Sequence, residues 1–248
     1  RGRGSGARGL AGTAMPDHAA MQDEILQDHA LALLVTLPAH LGLPPQRESL
    51  CRVLQDRQGG HAMARELTGT SADLADMDAQ AFEAWLATGR TEQGAFLPRL
   101  FSRCQNALDG VGGVVAMAGL TPQAVKARLA HARGVEAPTM AYDASIWPDY
   151  AHYPVMQALA GAGGVTPFAR LVARLLEFLA CLQGQGSAMF ARVSPFLASM
   201  EAGGGVGVAR AARGLLVHAA PVHGWLVAGY QIPPPTPRHI AQGGLLRQ

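Results

Sequence analysis

The sequence is poor in charged residues and contains almost no lysine. Charged side chains make up 15% of its 248 residues, against about a quarter in ordinary globular proteins. The formal net charge is only +2, and Lys126 is the only lysine. The chain therefore lacks the strongly basic balance of proteins that bind nucleic acid through a basic face, and we expect no nucleic-acid partner. With 49% hydrophobic residues, it is also too apolar to be disordered throughout.

Cysteine pairs and long apolar runs are missing as well. Cys51, Cys104 and Cys181 lie far apart and form no CxxC pair, which argues against a disulfide framework and favours a reducing compartment. No apolar run reaches the roughly 18 residues of a membrane helix. The N-terminal arginines are not followed by the apolar segment of a secretory signal. The sequence therefore predicts a cytoplasmic protein without membrane insertion.

Most motifs that carry chemistry are absent too. There is no GxxxxGKS/T, HExxH, GxSxG or EF-hand loop. The glycine-rich stretches at 161–164 and 203–207 do not satisfy GxGxxG, and we interpret them as helix stops and flexible links. His218 and His223 are five residues apart; they could form a metal pair, but a strand histidine and a turn histidine are the commoner explanation. We therefore predict no metal site.

What the chain does have is helical periodicity in most of its length. Residues 1–14 are rich in Gly and Arg and are interpreted as a disordered tail, and residues 15–248 as a single domain. Cap residues and apolar spacing predict several helices: 19–37, ended or kinked by Pro38; 47–58, stopped by Gly59 and Gly60; a short one capped by Ser71; one carrying Phe82, Trp85 and Leu86; 121–132; and 166–182.

The helix at 166–182 has the strongest signals. Thr166 and Pro167 provide an N-cap and a proline at the first helical position. The residues behind them form an apolar stripe, with Arg170, Arg174 and Glu177 off that stripe. This pattern predicts a largely buried helix with a polar side.

Two short apolar runs follow the glycines near residue 204. Residues 215–219 and 225–232 are predicted as strands joined by a turn at 222–224, and the prolines from Pro233 to Pro237 end regular structure. The fold class is therefore α+β, predominantly helical, with a C-terminal β-hairpin at about 211–236.

The C-terminal segment resembles a known family. The string AARGLLVH at 211–218, followed by GYQI at 229–232 and PPT at 234–236, is similar to the C-terminal hairpin of nickel–iron ([NiFe]) hydrogenase large subunits. There, Pro-Arg-Gly precedes an apolar strand that ends in His. Segments at 26–45, 81–90 and 151–155, and the helix at 168–179, resemble the hydrogenase expression/formation (maturation) proteins of the HupK/HoxV type in the same order.

The resemblance implies a hydrogenase large-subunit-like helical body and an accessory or scaffold role in [NiFe]-hydrogenase maturation, without catalysis. The implied partners are other maturation proteins and the hydrogenase large-subunit precursor. Catalytic large subunits hold nickel and iron with CxxC pairs near both ends, and this sequence has neither. We therefore expect no stably bound cofactor, and at most a transient iron–cyanide/carbonyl intermediate. The chain begins at Arg1 rather than Met, and the resemblance implies that the segments with the ligand cysteines lie before Arg1 and after Gln248. We therefore expect the chain to be clipped at both ends.

The resemblance also points to a candidate contact site made of Ala212, Arg213, Gly214 and His218. In active large subunits the arginine that matches Arg213 lies over the metal site, where its fork of N–H donors could contact cyanide ligands or a partner carboxylate. Ala212 stands where those enzymes have proline. The alternative is a purely structural arginine before a strand.

Two other hypotheses about the whole chain stay open. It could be a truncated or divergent hydrogenase large subunit, which a CxxC pair in the flanking reading frame would favour. It could also be a helical protein-interaction domain with no metal role, which a fold unrelated to the large subunit would favour.

Overall fold

The protein is mostly helical, with a small antiparallel sheet near the C-terminus. Its structure, a computed structural model, describes residues 18–56, 58–90, 94–109, 145–160, 164–185, 196–199, 204–211 and 214–230. The α-helices are α1 (His18–Leu31), α2 (Leu37–His40), α3 (Arg47–Gln55), α4 (Gly60–Thr68), α5 (Ala79–Thr88), α6 (Phe96–Leu108), α7 (Trp147–Tyr150), α8 (Pro154–Leu159) and α9 (Pro167–Leu182). Among these described helices, none has the length and apolar character needed to cross a bilayer.

Pro38 does not end the first helix, which was one of the two outcomes that the sequence predicts. A single π-helical turn, Ala32–Thr36, joins α1 to α2, and the helix ends only at His40. Pro38 has no N–H to donate to the carbonyl of Leu34, four residues earlier. That carbonyl instead accepts the backbone N–H of Gln46 at 2.7 Å. The loop before α3 thus provides a donor for the Leu34 carbonyl, which Pro38 leaves without its helical partner.

Aspartate side chains set the starts of two short elements. The Asp73 carboxylate accepts the N–H of Ala75 at 3.0 Å and begins a 3₁₀ turn at Leu74–Asp76, so the cap is Asp73 and not Ser71. Asp78 caps α5 through the N–H of Ala81 at 2.8 Å. Both contacts satisfy N–H groups that a helix start leaves unpaired.

Helix α5 confirms the predicted apolar face, and α3 and α4 correct a boundary. The buried residues of α5 are Phe82, Trp85 and Leu86. Helix α3 ends at Gln55, before the predicted residue 58, and Gly60 begins α4 instead of only stopping the preceding helix. The predicted helix at 121–132 and the tail at 1–14 lie outside the described residues.

The core forms around α9. The Thr166 hydroxyl accepts the N–H of Ala169 at 3.1 Å, and Pro167 follows at the first helical position, as predicted. An aromatic cluster of Phe82, Trp85, Phe101 and Phe168 joins α5, α6 and α9, with ring centroids 5.4–6.5 Å apart, within the usual range of aromatic pairs. Helices α1, α4, α6, α7 and α8 also pack against α9.

The sheet has four antiparallel strands in the order β1 (Phe196–Ser199), β2 (Gly204–Ala211), β3 (Gly214–His223) and β4 (Leu226–Val227). Strand β3 covers the first predicted strand. The second predicted strand, 225–232, is wrong in extent, since among its described residues, 225–230, only Leu226 and Val227 pair, opposite His223 and Val222. The glycine-rich stretch from residue 204, interpreted above as a flexible link, is strand β2. Its eight residues pair with residues 214–221 of β3, so cross-strand hydrogen bonding outweighs the low strand propensity of its glycines and alanines.

A substitution in α9 tests the core. Leu175 is fully buried, so Leu175→Ala should lower the free energy of unfolding by about 2–5 kcal/mol through lost contacts and the cavity left behind. Leu54→Ala on α3 is the matched control, because Leu54 is 42% exposed; its cost should stay within about 0.5 kcal/mol. Urea unfolding measures both. A Leu175→Ala cost as small as the control's would contradict the buried position.

Candidate functional site

Two of the four residues of the predicted contact site are described. Gly214 is buried, begins β3 opposite Ala211, and has a φ of 123°. Side chains other than glycine rarely adopt that conformation, which gives a local reason for glycine after the arginine. Ala212 and Arg213 lie outside the described residues, so the contact assigned to Arg213 stays a prediction.

His218 lies on β3 and contacts an aromatic residue beyond β4. Its Nδ1 atom is hydrogen-bonded to the hydroxyl of Tyr230, and the two ring centroids are 5.7 Å apart. On β2, Gly207 is the residue opposite His218. Positions 218 and 223 differ by an odd number, so the two histidines lie on opposite faces of the strand. In the part of the chain that the structure describes, no group of three or more His, Cys, Asp or Glu side chains is arranged to hold a metal ion.

A second site, which the sequence reasoning missed, lies between α1 and α9. The Nε2 atom of His29 is 2.7 Å from Oε2 of Glu177, and both side chains are almost completely buried, at 0% and 1% exposure. The two residues are 148 positions apart in the chain. A buried ionisable pair of this kind is rare in a protein core, which makes it the most distinctive polar feature of the helical part.

Arg174 extends this pair to the protein surface. Its Nε and Nη2 atoms lie 3.3 and 3.2 Å from Nδ1 of His29, and Nη2 also donates to Oδ2 of Asp28 at 3.1 Å. A guanidinium has only donors, so Nδ1 of His29 must be the acceptor. The proton of a neutral His29 is therefore on Nε2, from which it is donated to Glu177.

Tyr150 of α7 completes the cluster from the other side. Its buried hydroxyl is hydrogen-bonded to the Glu177 carboxyl. Burial and the charge of Glu177 raise the pKa of Tyr150 far above its usual range, so it remains a donor. Asp28, Arg174, His29, Glu177 and Tyr150 thus form one continuous chain of contacts, which we call the α1–α9 polar cluster.

Burial dominates the ionisation of Glu177. It raises the pKa of this carboxyl to about 8, while the hydrogen bond from Tyr150 and the charge of Arg174 lower it. Desolvation disfavours the charged form of any buried acid. Glu177 therefore changes its protonation near pH 8.

The two buried cysteines, Cys104 and Cys181, offer no activated thiol. Burial raises the pKa of Cys104 to about 12, and burial together with the charge of Glu177 raises that of Cys181 further still. Thiolates are the reactive and metal-binding form. Cys104 and Cys181 are therefore apolar core residues, and Cys51 is exposed.

A regular spacing on α9 was the signal for the polar cluster. Arg170, Arg174, Glu177 and Cys181 recur at intervals of four, three and four residues, which places them on one face of the helix. We expected the charged residues to form a polar side, but Arg170 and Glu177 are buried and Arg174 is half-buried. His29 within the apolar stripe of α1 was the matching signal on the other helix.

No protein-family model matches this chain, and no curated protein matches it either.

The raised pKa of Glu177 predicts a pH dependence of stability. The native carboxyl holds its proton up to about pH 8, whereas the ordinary value is 4.5. Between these values the native state binds more protons than the unfolded state, so the contribution of Glu177 to the free energy of unfolding falls as pH rises. Glu177→Gln keeps a neutral side chain of the same shape and should remove this fall.

Urea unfolding between pH 5 and pH 9, on the wild type and the variant, measures the effect. The variant should gain stability relative to the wild type as pH rises through about 8. Glu83→Gln on the exposed side of α5 is the matched control and should leave the pH profile unchanged. Parallel profiles for the wild type and Glu177→Gln would contradict the raised pKa.

Proposed function

We propose that the protein is an accessory or scaffold protein in the maturation of [NiFe]-hydrogenase, of the HupK/HoxV type, and is not itself catalytic. The observation that carries the proposal is the order of the matching segments: the four lie at 26–45, 81–90, 151–155 with the following helix, and 211–236. One short matching segment could occur by chance, but four matching segments in the same order over most of the chain are more specific evidence for the family. The proposed location is the cytoplasm, and the proposed fold is that of a hydrogenase large subunit.

The position of the hairpin string within the fold supports this proposal. Strand β3 begins at Gly214, directly after Arg213 in the sequence, and carries His218. The large-subunit hairpin also has an apolar strand after an arginine–glycine pair; that strand ends in His, whereas β3 continues past His218 to His223. The missing CxxC pairs favour a role in cofactor assembly over hydrogen turnover, because a nickel–iron centre needs several soft thiolate ligands.

The exposed tip of the hairpin supports a role in binding partners. Trp225 is fully exposed, and Leu226, Val227 and Tyr230 are each at least 60% exposed. Contiguous exposed apolar side chains are typical of protein–protein contact sites. Partners of this surface would be other maturation proteins or the hydrogenase large-subunit precursor. This tip is also the feature that favours the alternative of an interaction domain without a metal role.

Metal analysis separates the accessory protein from the truncated or divergent large subunit. Protein purified without oxygen from nickel-fed cells should contain far less than one nickel per chain, because three scattered cysteines cannot provide the thiolates of a nickel–iron centre. The measurement is elemental analysis after dialysis. A ratio near one nickel per chain would overturn the accessory role and support the enzyme.

Substitution of Arg213 tests the contact that the resemblance implies. Lysine keeps the charge but loses the planar fork of donors, so Arg213→Lys and Arg213→Ala should both impair function. Loss of charge-assisted hydrogen bonds of about 1.5–3 kcal/mol corresponds to a roughly tenfold or larger decrease. Hydrogenase activity in a complemented maturation-deficient strain is the readout.

Arg65→Ala, exposed on α4, is the control for that experiment and should restore full activity. Thermal melting checks that each variant folds. Full activity with Arg213→Ala would eliminate Arg213 as a functional contact. Loss of activity together with a collapsed melting temperature would instead support a structural role. If the wild-type gene itself fails to restore hydrogenase activity, the maturation role is wrong.

A further inference from the structure

A basic groove of about 600 Å³ lies where the end of α5 meets α6. Its polar described lining consists of Arg90, Arg99 and Arg103, together with Ser102 and Asn106. We call it the arginine groove. None of the described lining residues is acidic, and none belongs to the α1–α9 polar cluster or to the hairpin.

A close approach of two backbones brings the arginines together. A Cβ atom at Gly89 would lie 2.0 Å from the backbone nitrogen of Arg99 and 2.3 Å from the carbonyl carbon of Pro98. Only glycine allows the end of α5 to rest directly on the first turn of α6. Arg90, the next residue, is thereby held beside α6.

The spacing on α6 adds the remaining donors. Arg99, Arg103 and Asn106 are separated by four and three residues, and Ser102 lies three residues after Arg99. Residues at these intervals share one face of a helix. Their side chains therefore line the same groove that Arg90 enters from α5.

The charges of Arg99 and Arg103 repel each other along α6. Like charges four residues apart destabilise a helix by a few tenths of a kcal/mol, and a cation in the first helical turn opposes the helix dipole. Arg99 is held in place by a hydrogen bond of 3.1 Å from Nη2 to the carbonyl of Gly94.

We propose that the arginine groove binds a phosphoryl group carried by a small molecule, either free or as a lipid headgroup. Guanidinium groups match the oxygen atoms of a phosphoryl group with two parallel hydrogen bonds. Asn106 and Ser102 add neutral donors, and Leu43 supplies an apolar wall. The volume of the groove lies within the range of small-molecule sites. This inference is independent of the maturation role.

Titration calorimetry of the full chain with pyrophosphate at constant ionic strength tests the proposal. The wild type should show saturable binding at one site. Arg103→Gln removes one guanidinium and should weaken binding about tenfold, and the double variant Arg99→Gln/Arg103→Gln should weaken it further. Arg47→Gln makes the same change of net charge at an exposed position of α3 outside the groove and should leave the affinity unchanged. Melting temperatures check folding.

Sedimentation with vesicles of phosphatidic acid distinguishes the two sources of the phosphoryl group. Pyrophosphate binding that depends on Arg103 supports a free phosphorylated ligand. Binding to vesicles alone, with the same dependence, supports a lipid headgroup. The proposal is overturned if neither probe binds, if Arg47→Gln weakens binding as much as Arg103→Gln, or if only an RNA competitor binds.

Discussion

The contact between His29 and Glu177 is the constraint on which the arrangement of the helices depends. It joins α1 to α9, two helices that are distant in sequence, through side chains with almost no exposure. Isolated charges in such a position would cost several kcal/mol each. The cluster lowers this cost because every ionisable member meets a partner: Asp28 and His29 both accept from Arg174, and Glu177 accepts from His29 and Tyr150.

The cluster matters more for the register of α1 on α9 than for net stability. Apolar helix faces still make contacts when one helix slides by a turn, whereas a set of donors and acceptors matches in only one alignment. Buried polar pairs contribute little net stability, but removal of one partner is strongly destabilising because the other is left buried without its hydrogen bond. The polar cluster and the apolar stripe around Leu175 thus contribute differently to the contact between α1 and α9. The stripe supplies the burial, and the cluster fixes the alignment.

Local signals in the sequence were sufficient for some elements and not for others. The start of α9 was predictable because Thr166 and Pro167 act on the backbone within one turn, and the face of α5 because its periodicity is regular. The course of the helix past Pro38 was not, since it depends on Gln46 reaching back to Leu34. Strand β2 was missed because most of its residues are glycine or alanine, which are disfavoured in strands. Its pairing with β3 is not apparent from the local sequence.

The candidate sites also have a part that local sequence predicts and a part that only the fold reveals. Gly214 and His218 were predicted from one short segment, AARGLLVH at 211–218. The structure places both residues on β3. The burial of Glu177 was not predictable, because its partner His29 lies 148 positions away in the chain. A charged residue on a helix normally faces water, and only the fold reveals that this face of α9 is covered. The arginine groove was missed for a similar reason, since Arg90 and Arg99 meet only through the contact at Gly89.

Strand β3 also sets a distance between the two ends of the hairpin. It runs from Gly214 to His223, and at about 3.4 Å per residue it separates the Gly214 end from the exposed Trp225 tip by roughly 30 Å. A protein partner docked on Trp225 and Leu226 would therefore leave the opposite end of the strand uncovered.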